Sequence, residues 1–333
     1  MHTYPFFRRV DTGISRGCRW AMAIFIAMAT AAVSAQTAWP NRSVKLVVAA
    51  GAGSSVDVFA RVLGDRLAQS LGQPFVVEPR PGANGAIAGQ AVASAKPDGY
   101  TFLFAGNSAL VINPLMAKNL AYNGEKDLVA VAPVVYVPLA IAVRDDHPAR
   151  TIQELLAQSR GKESFFATPG AASLSRLIGE HLNDKAGTKF INIAYPTSGA
   201  AQTDLLGGRV PMLIDGLGGI TSQIKSGKMR LLAVSTATRA KEFPDVPTIA
   251  EAIPGFVVPG INSIVAPAGT PPEIMDLLNK KVNEITSDRS IVERFATMGG
   301  DAAAGTRADL DRLLKDQRVT FKRLIEQAKI KED

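Results

Sequence analysis

The sequence predicts an α/β protein of two domains, each a mainly parallel sheet flanked by helices, with a ligand cleft between them. Short apolar runs rich in β-branched residues alternate with stretches of helical periodicity. Turns rich in Gly, Ser and Thr follow those runs at 51–55, 106–108, 168–173 and 197–199. With 333 residues, 47% of them hydrophobic, the chain can fill two cores. The β-α-β order implies right-handed crossovers and parallel pairing. Ligands of such sheets bind outside the carboxyl ends of the strands, so two facing sheets bring all four turns to one cleft.

The elements follow in order. Val44–Ala50 is a strand buried on both faces, broken by Gly51-Ala52-Gly53-Ser54-Ser55, residues that tolerate positive φ and close approach of a ligand. Val56, Phe59, Ala60, Leu63 and Leu67 then recur at helical spacing, so free N–H groups stand at the positive end of a helix dipole, a ready anion site. Ser54-x-x-Asp57 matches a capping box, with Asp57 returning to the Ser54 N–H. Phe75–Glu78 is a second strand, 79–85 a loop, Ala86–Ala95 a helix and Tyr100–Phe104 a third strand, with Gly106-Asn107-Ser108 at its carboxyl end before a helical stretch ending near Asn113-Pro114.

Val131–Val143 reads as one long strand, and Thr151–Arg160 as a helix with Thr151 and Glu154 as a capping box. Strands Ser164–Ala167, Phe190–Ala194, Val210–Asp215 and Leu231–Thr236 make the second set. Between them lie a helix after Ser173 and another over Ala200–Leu206, ended by Gly207-Gly208. Ser263–Ala266, a helix over Glu273–Ser287 and a charged helical C-terminus complete the chain.

Met1–Ala35 has early arginines, an apolar stretch Trp20–Val33 and a small-residue cleavage signal at Val33-Ser34-Ala35. It reads as an export leader for the general secretion route, an isolated amphipathic or membrane helix being the alternative. Its four arginines and one aspartate account for the fall from a net charge of +7 to +4 in the mature chain. The remaining Lys and Arg are scattered, which argues against nucleic acid as a partner. Cys18, the single cysteine, lies in the leader, so the mature chain has no disulfide, thiolate nucleophile or cysteine metal ligand.

Gly51-x-Gly53 invites a dinucleotide reading, but Val56 occupies the place of the third glycine and Asp57 puts a negative charge where pyrophosphate would sit. His147 and His181 read as surface residues, and neither a G-x-S-x-G elbow nor an H-E-x-x-H motif is present. Thr168, Ser173, Ser175, Thr197 and Ser198 offer hydroxyls near helix starts, where capping is the bland use of each and convergence on a ligand oxygen the functional one. Arg176 lies at the disfavoured positive end of its helix, which suggests either an acidic partner or a solvated surface.

The ordered set Trp39-Pro40-Asn41-Arg42-Ser43-Val44, Asp57-x-x-Ala60-Arg61, Leu71-Gly72-Gln73-Pro74, Val77–Gly85, Pro97–Thr101, Asp204–Gly208, Pro244–Ala252 and Ala266–Pro272 resembles the tripartite tricarboxylate transporter (Bug-type) substrate-binding receptors over nearly the whole mature chain. The resemblance implies a two-domain periplasmic binding protein fold of type II-like form. Residues 36–137 with 262–333 would form one domain and 138–261 the other, closing by a hinge on a small carboxylate-bearing solute. It implies a periplasmic monomer without cofactor or metal, not inserted in the membrane, that hands its ligand to membrane transporter subunits. In the family the first loop grips a carboxylate through backbone amides and ordered water; here that loop carries Ala50, Gly51, Ala52, Gly53, Ser54, Ser55 and Asp57. Asn107 and Ser108, then Thr168, Ala172, Ser173 and Arg176, then Tyr195, Thr197 and Ser198 line the other sides, with Asp215 added at the end of its strand. The chain departs from the family pattern at Ala49 and Gly51 in place of prolines, Gly53-Ser54 in place of Gly-Gly, Arg176 in place of His and Pro196-Thr197 in place of Lys-Gly. The added cation suggests a dicarboxylate. A secreted enzyme on a similar fold, or a sensor for a signalling partner, are the alternatives to a transport receptor.

Overall fold

The computed structural model describes residues 39–117, 119–327 and 330; the segment read as an export leader lies outside them. Contacts divide the chain after Asn41, and the unit from Arg42 onward carries all the described regular structure. In chain order, β1 (Val44–Val48), α1 (Ser55–Leu71), β2 (Phe75–Pro79), a 3-10 turn at Ala83–Gly85, α2 (Ala86–Ala93) and β3 (Thr101–Ala105) come first. A π turn (Ser108–Ile112), α3 (Asn113–Met116) and β4 (Leu128–Val137) follow. Next are β5 (Leu139–Arg144), α4 (Ile152–Ser159), β6 (Glu163–Pro169), α5 (Leu174–Ala186), β7 (Lys189–Tyr195), α6 (Ser198–Leu206), β8 (Met212–Gly216), α7 (Leu217–Lys225) and β9 (Met229–Val234). Last come α8 (Ile249–Ala252), β10 (Gly260–Pro267), α9 (Pro272–Thr286), α10 (Arg289–Thr297), β11 (Asp301–Ala302) and α11 (Arg307–Gln327).

These strands form two sheets, ordered β11-β4-β10-β3-β1-β2 and β7-β6-β8-β5-β9. Both are mixed. β1 runs parallel to β2 and β3, and β6 parallel to β7 and β8, as the β-α-β order requires. β10 runs antiparallel to β3 and β4, and β5 antiparallel to β8 and β9. The cause is topological. A strand that arrives from the other sheet starts at the end where the parallel strands finish, so it must run against them.

The apolar run Val131–Val143, expected as one strand, is two strands in different sheets. Pro138 divides them: it has no N–H to donate to a ladder, and its carbonyl instead accepts from Leu217 N at 2.8 Å. One apolar cluster nonetheless spans both sheets, joining Val47, Leu103 and Val265 of the first to Ile141, Phe166 and Ile214 of the second, with Phe256 and Phe321 beside them.

Helix starts follow local chemistry. Ser54, Thr151, Ser173 and Thr197 each accept from the backbone N–H three residues on. The expected reciprocal bonds shift by one residue: Asp57 reaches the N–H of Gly53, and Glu154 that of Arg150. A complete capping box occurs at Thr248 and Glu251. His181, expected at the surface, is buried and lies against Phe256 with ring centroids 4.5 Å apart. It sits on the inward stripe of α5, and burial lowers its pKa.

Candidate functional site

Where the parallel strands of the two sheets end, their loops enclose a cavity of about 220 Å³. The first sheet contributes Ala49 after β1, Gly106 to Ala109 after β3, Val137 at the end of β4, and Gly260, Ile261 and Asn262 of β10. The second contributes Leu139, Pro169, Asp215 and Gly216. Two helices open onto it, α1 through Ser55 and Val56 and α5 through Ser173, Leu174 and Ser175.

The first loop is arranged by Asp57, whose side chain is 2% exposed. Its Oδ2 accepts from Gly53 N at 2.8 Å and from Arg61 Nε at 3.0 Å, while Ser54 Oγ accepts from Asp57 N at 3.3 Å. Gly53 has φ +77°, a conformation that favours glycine. With Asp57 N committed to the cap, the amides of Ser55 and Val56 stand at the helix start, free of the intrahelical ladder, and both residues line the cavity. On the opposite wall Ser173 Oγ accepts from Arg176 N at 3.2 Å, which places the Leu174 and Ser175 amides likewise. Two helix N-termini of opposite sheets therefore supply the positive ends of their dipoles to one space.

The loop after β2 completes the enclosure. Asn113 Nδ2 donates to the carbonyls of Ala83 and Asn84 at 3.0 and 3.1 Å, holding a turn in which both residues have positive φ. The Asn84 side chain then reaches Gly170, where a Cβ would collide with its Oδ1. Asn107 ties the floor together, donating to Gln317 Oε1 at 2.7 Å and accepting from Ile261 N at 2.9 Å.

Asp215 is the charged side chain of the described lining, which includes no Lys, Arg or His. Ser198 Oγ donates to its Oδ2 in a short hydrogen bond, and Gly216 N donates to Oδ1 at 2.7 Å. Burial pushes its carboxyl up to about 6, with those two hydrogen bonds pulling the other way.

The structure brings Ser55, Asn107, Ser108, Ser173 and Asp215 to the cavity. It places Ala50, Gly51, Ala52 and Gly53 in the loop leading to α1, and Ser54 and Asp57 behind that loop as its supports. Thr168 is fully buried, where Asn192 Nδ2 donates to its Oγ1 at 2.8 Å. Ala172 packs on the apolar core, Thr197 caps α6, and Tyr195 donates to Asp204 Oδ2 at 2.8 Å. Ser198 acts behind Asp215. Arg176 turns back on its own loop, donating to Ala171 O at 3.2 Å and lying 3.9 Å from Glu180. Sequence reasoning missed Asn84, Gly260, Ile261 and Asn262. The turn pair Asn84-Gly85 was a signal for the first; the strand residues of β10 carry none.

The chain matches the family model described as "Tripartite tricarboxylate transporter family receptor" over residues 59–330. It is 59% identical to a UPF0065 protein of Bordetella bronchiseptica across 98% of each chain. Among solved structures it is similar to Rpa4515 of R. palustris with adipate, at a TM-score of 0.82 and 30% identity, covering 88% of this chain and 99% of that one. It is also similar to MatC of Rhodopseudomonas palustris with bound malate, at a TM-score of 0.76 and 26% identity, covering 86% and 100%.

Proposed function

The chain belongs to the tripartite tricarboxylate transporter receptor family, and we propose that it captures a small carboxylate-bearing solute between its two sheets for delivery to membrane transporter subunits. The observation that carries this reading is the pair of helix starts, α1 and α5, whose first residues, with amides outside the helical ladder, line one cavity from the sides of the two sheets. Amides at helix N-termini bind an anion without any cationic side chain, which suits a lining without Lys or Arg. The adipate and malate of the similar structures support an organic acid with two carboxylates, one for each helix start. That support rests on the helix starts and not on Arg176.

The role is binding rather than chemistry: Asp215 has a hydroxyl and an amide as partners, not the basic side chain with which an acid–base pair works. In this reading the first sheet with its helices is one domain of the receptor and the second sheet with its helices the other. The double passage of the chain makes the hinge that closes them over the ligand. The receptor acts as a monomer in the periplasm, after removal of Met1–Ala35. Among the described residues no helix is long and apolar enough to cross a membrane.

A thermal-shift screen of the protein from residue 36 onward against mono-, di- and tricarboxylates tests this. A ligand that binds only the folded state raises Tm by mass action. A selective rise with one class of acid is expected. No rise with any acid, together with no acid in the supernatant of denatured protein by mass spectrometry, overturns the reading.

A further inference from the structure

Asp215 puts a carboxylate on the wall of a cavity that, in the reading above, holds an acid. Two negative charges there repel each other, and the described lining offers no cation between them. Asp215 is also oriented with care. Gln202 Nε2 donates to Ser198 Oγ at 2.9 Å and to Gly219 O at 3.2 Å, so the Ser198 hydroxyl keeps its own proton for Asp215 Oδ2. Gly216 N occupies Oδ1. Each carboxylate oxygen accepts about two hydrogen bonds. Ser198 and Gly216 fill one place on each, so one place on each oxygen is left for a donor from the cavity. A group that donates there offsets the repulsion; a bare methylene leaves a buried charge without its full complement of hydrogen bonds.

We propose that Asp215 determines which acid is taken: it accepts a hydrogen bond from a hydroxyl or ammonium group of the solute, so that a hydroxy- or amino-substituted carboxylate binds in preference to the unsubstituted acid of the same length. Asp215 contacts the ligand, and Ser198 with Gln202 positions it. The inference rests on the carboxylate reading of the same cavity. A site built to pair with a donor rejects the analogue that lacks it more sharply than an apolar pocket rejects a missing methylene.

Isothermal titration calorimetry with two matched sets of acids tests the assignment: succinate, malate and aspartate, then glutarate, 2-hydroxyglutarate and glutamate. The wild-type protein is expected to bind at least one substituted acid about 10- to 100-fold more tightly than its unsubstituted parent, the range for a hydrogen bond to a charged group. Preference for malate or 2-hydroxyglutarate identifies a neutral donor, and preference for aspartate or glutamate an ammonium. Asp215→Asn should bring the ratio to within about threefold by weakening the acceptor. Ser198→Ala, which leaves Asp215 in place but unoriented, should lower it partway and serves as the reading should the first variant not fold. Equal affinities within each set for the wild type, or a ratio unchanged in both variants, overturns the role of Asp215 while leaving carboxylate binding intact. No binding by any of the six acids overturns the role of Asp215, and the carboxylate reading falls with it only where the wider thermal-shift screen and the mass spectrometry are blank as well.

Discussion

Asp57 and Asp215 are two buried carboxylates beside the same cavity, each at a helix start, and they do opposite work. Asp57 has a backbone amide and a guanidinium as partners, both supplied by its own loop and helix, and it shapes the chain that carries the α1 amides. Asp215 has a hydroxyl from another helix and the next amide, no cation among its described partners, and a carboxyl pushed up to about 6 by burial. A carboxylate held by a cation and an amide of its own loop and helix is a fastener, even with its other oxygen left unpaired, as Asp57 Oδ1 is. One that is desolvated with no cation among its described partners is held ready for something else, and ionising it costs the folded state.

The largest effect expected to separate the two lies in the pH dependence of stability. Asp215 has a folded pKa above the ordinary aspartate value of 3.8, so the folded state holds the proton more tightly than the unfolded one. Its contribution is present below pH 4 and is lost as pH rises toward 6, by up to about 3 kcal/mol for a shift of about two pK units. Asp215→Asn should therefore equal the wild type near pH 4 and exceed it at pH 8, in denaturant midpoints taken across that range. A variant less stable than the wild type at pH 8 would break the contrast.

Asp57→Ala goes the other way. It removes charge-assisted bonds to Gly53 and Arg61, and should destabilise by about 2 kcal/mol at neutral pH while weakening acid binding, since the α1 amides lose their setting. Urea unfolding and calorimetry on one preparation check both parts.

Ser173→Ala removes a cap on the opposite wall and should cost about 1 kcal/mol, with a smaller loss of affinity than Asp57→Ala. Arg176→Ala should change affinity least, leaving that for a dicarboxylate unchanged because its guanidinium faces Ala171 O and Glu180, while loss of this largely buried side chain costs about 1 kcal/mol of stability. A marked loss of affinity in that variant would return the anion to a side-chain cation and weaken the helix-amide account.

Much of this was legible before any coordinates. The strand, glycine turn and helix of 44–71 appear where apolar spacing and turn chemistry place them, and the helix after Ser173 begins at its expected cap. The family likeness read from the motif series is met by the match over residues 59–330. Pro138 was a signal passed over: hydropathy runs straight through it, whereas the backbone cannot. The shift of Asp57 from the Ser54 amide to that of Gly53 was not readable, because it depends on the turn geometry that Gly53 allows.

What the sequence determined by itself is therefore what lies within a few residues of its cause. Caps at Ser54, Thr151, Ser173 and Thr197 bond three residues along, and strands and helices follow periods of two and 3.6. Tertiary structure alone decided which of those starts share a cavity. Asn84 reaches Gly170 across 86 positions, as their numbers show, and Asn107 bonds Ile261 and Gln317 from two distant elements. Asp215 is buried because two sheets meet over it. Such contacts are set by register and crossing points, and burial, which changes a carboxyl's affinity for its proton, is a property of everything packed around it and of no stretch of chain.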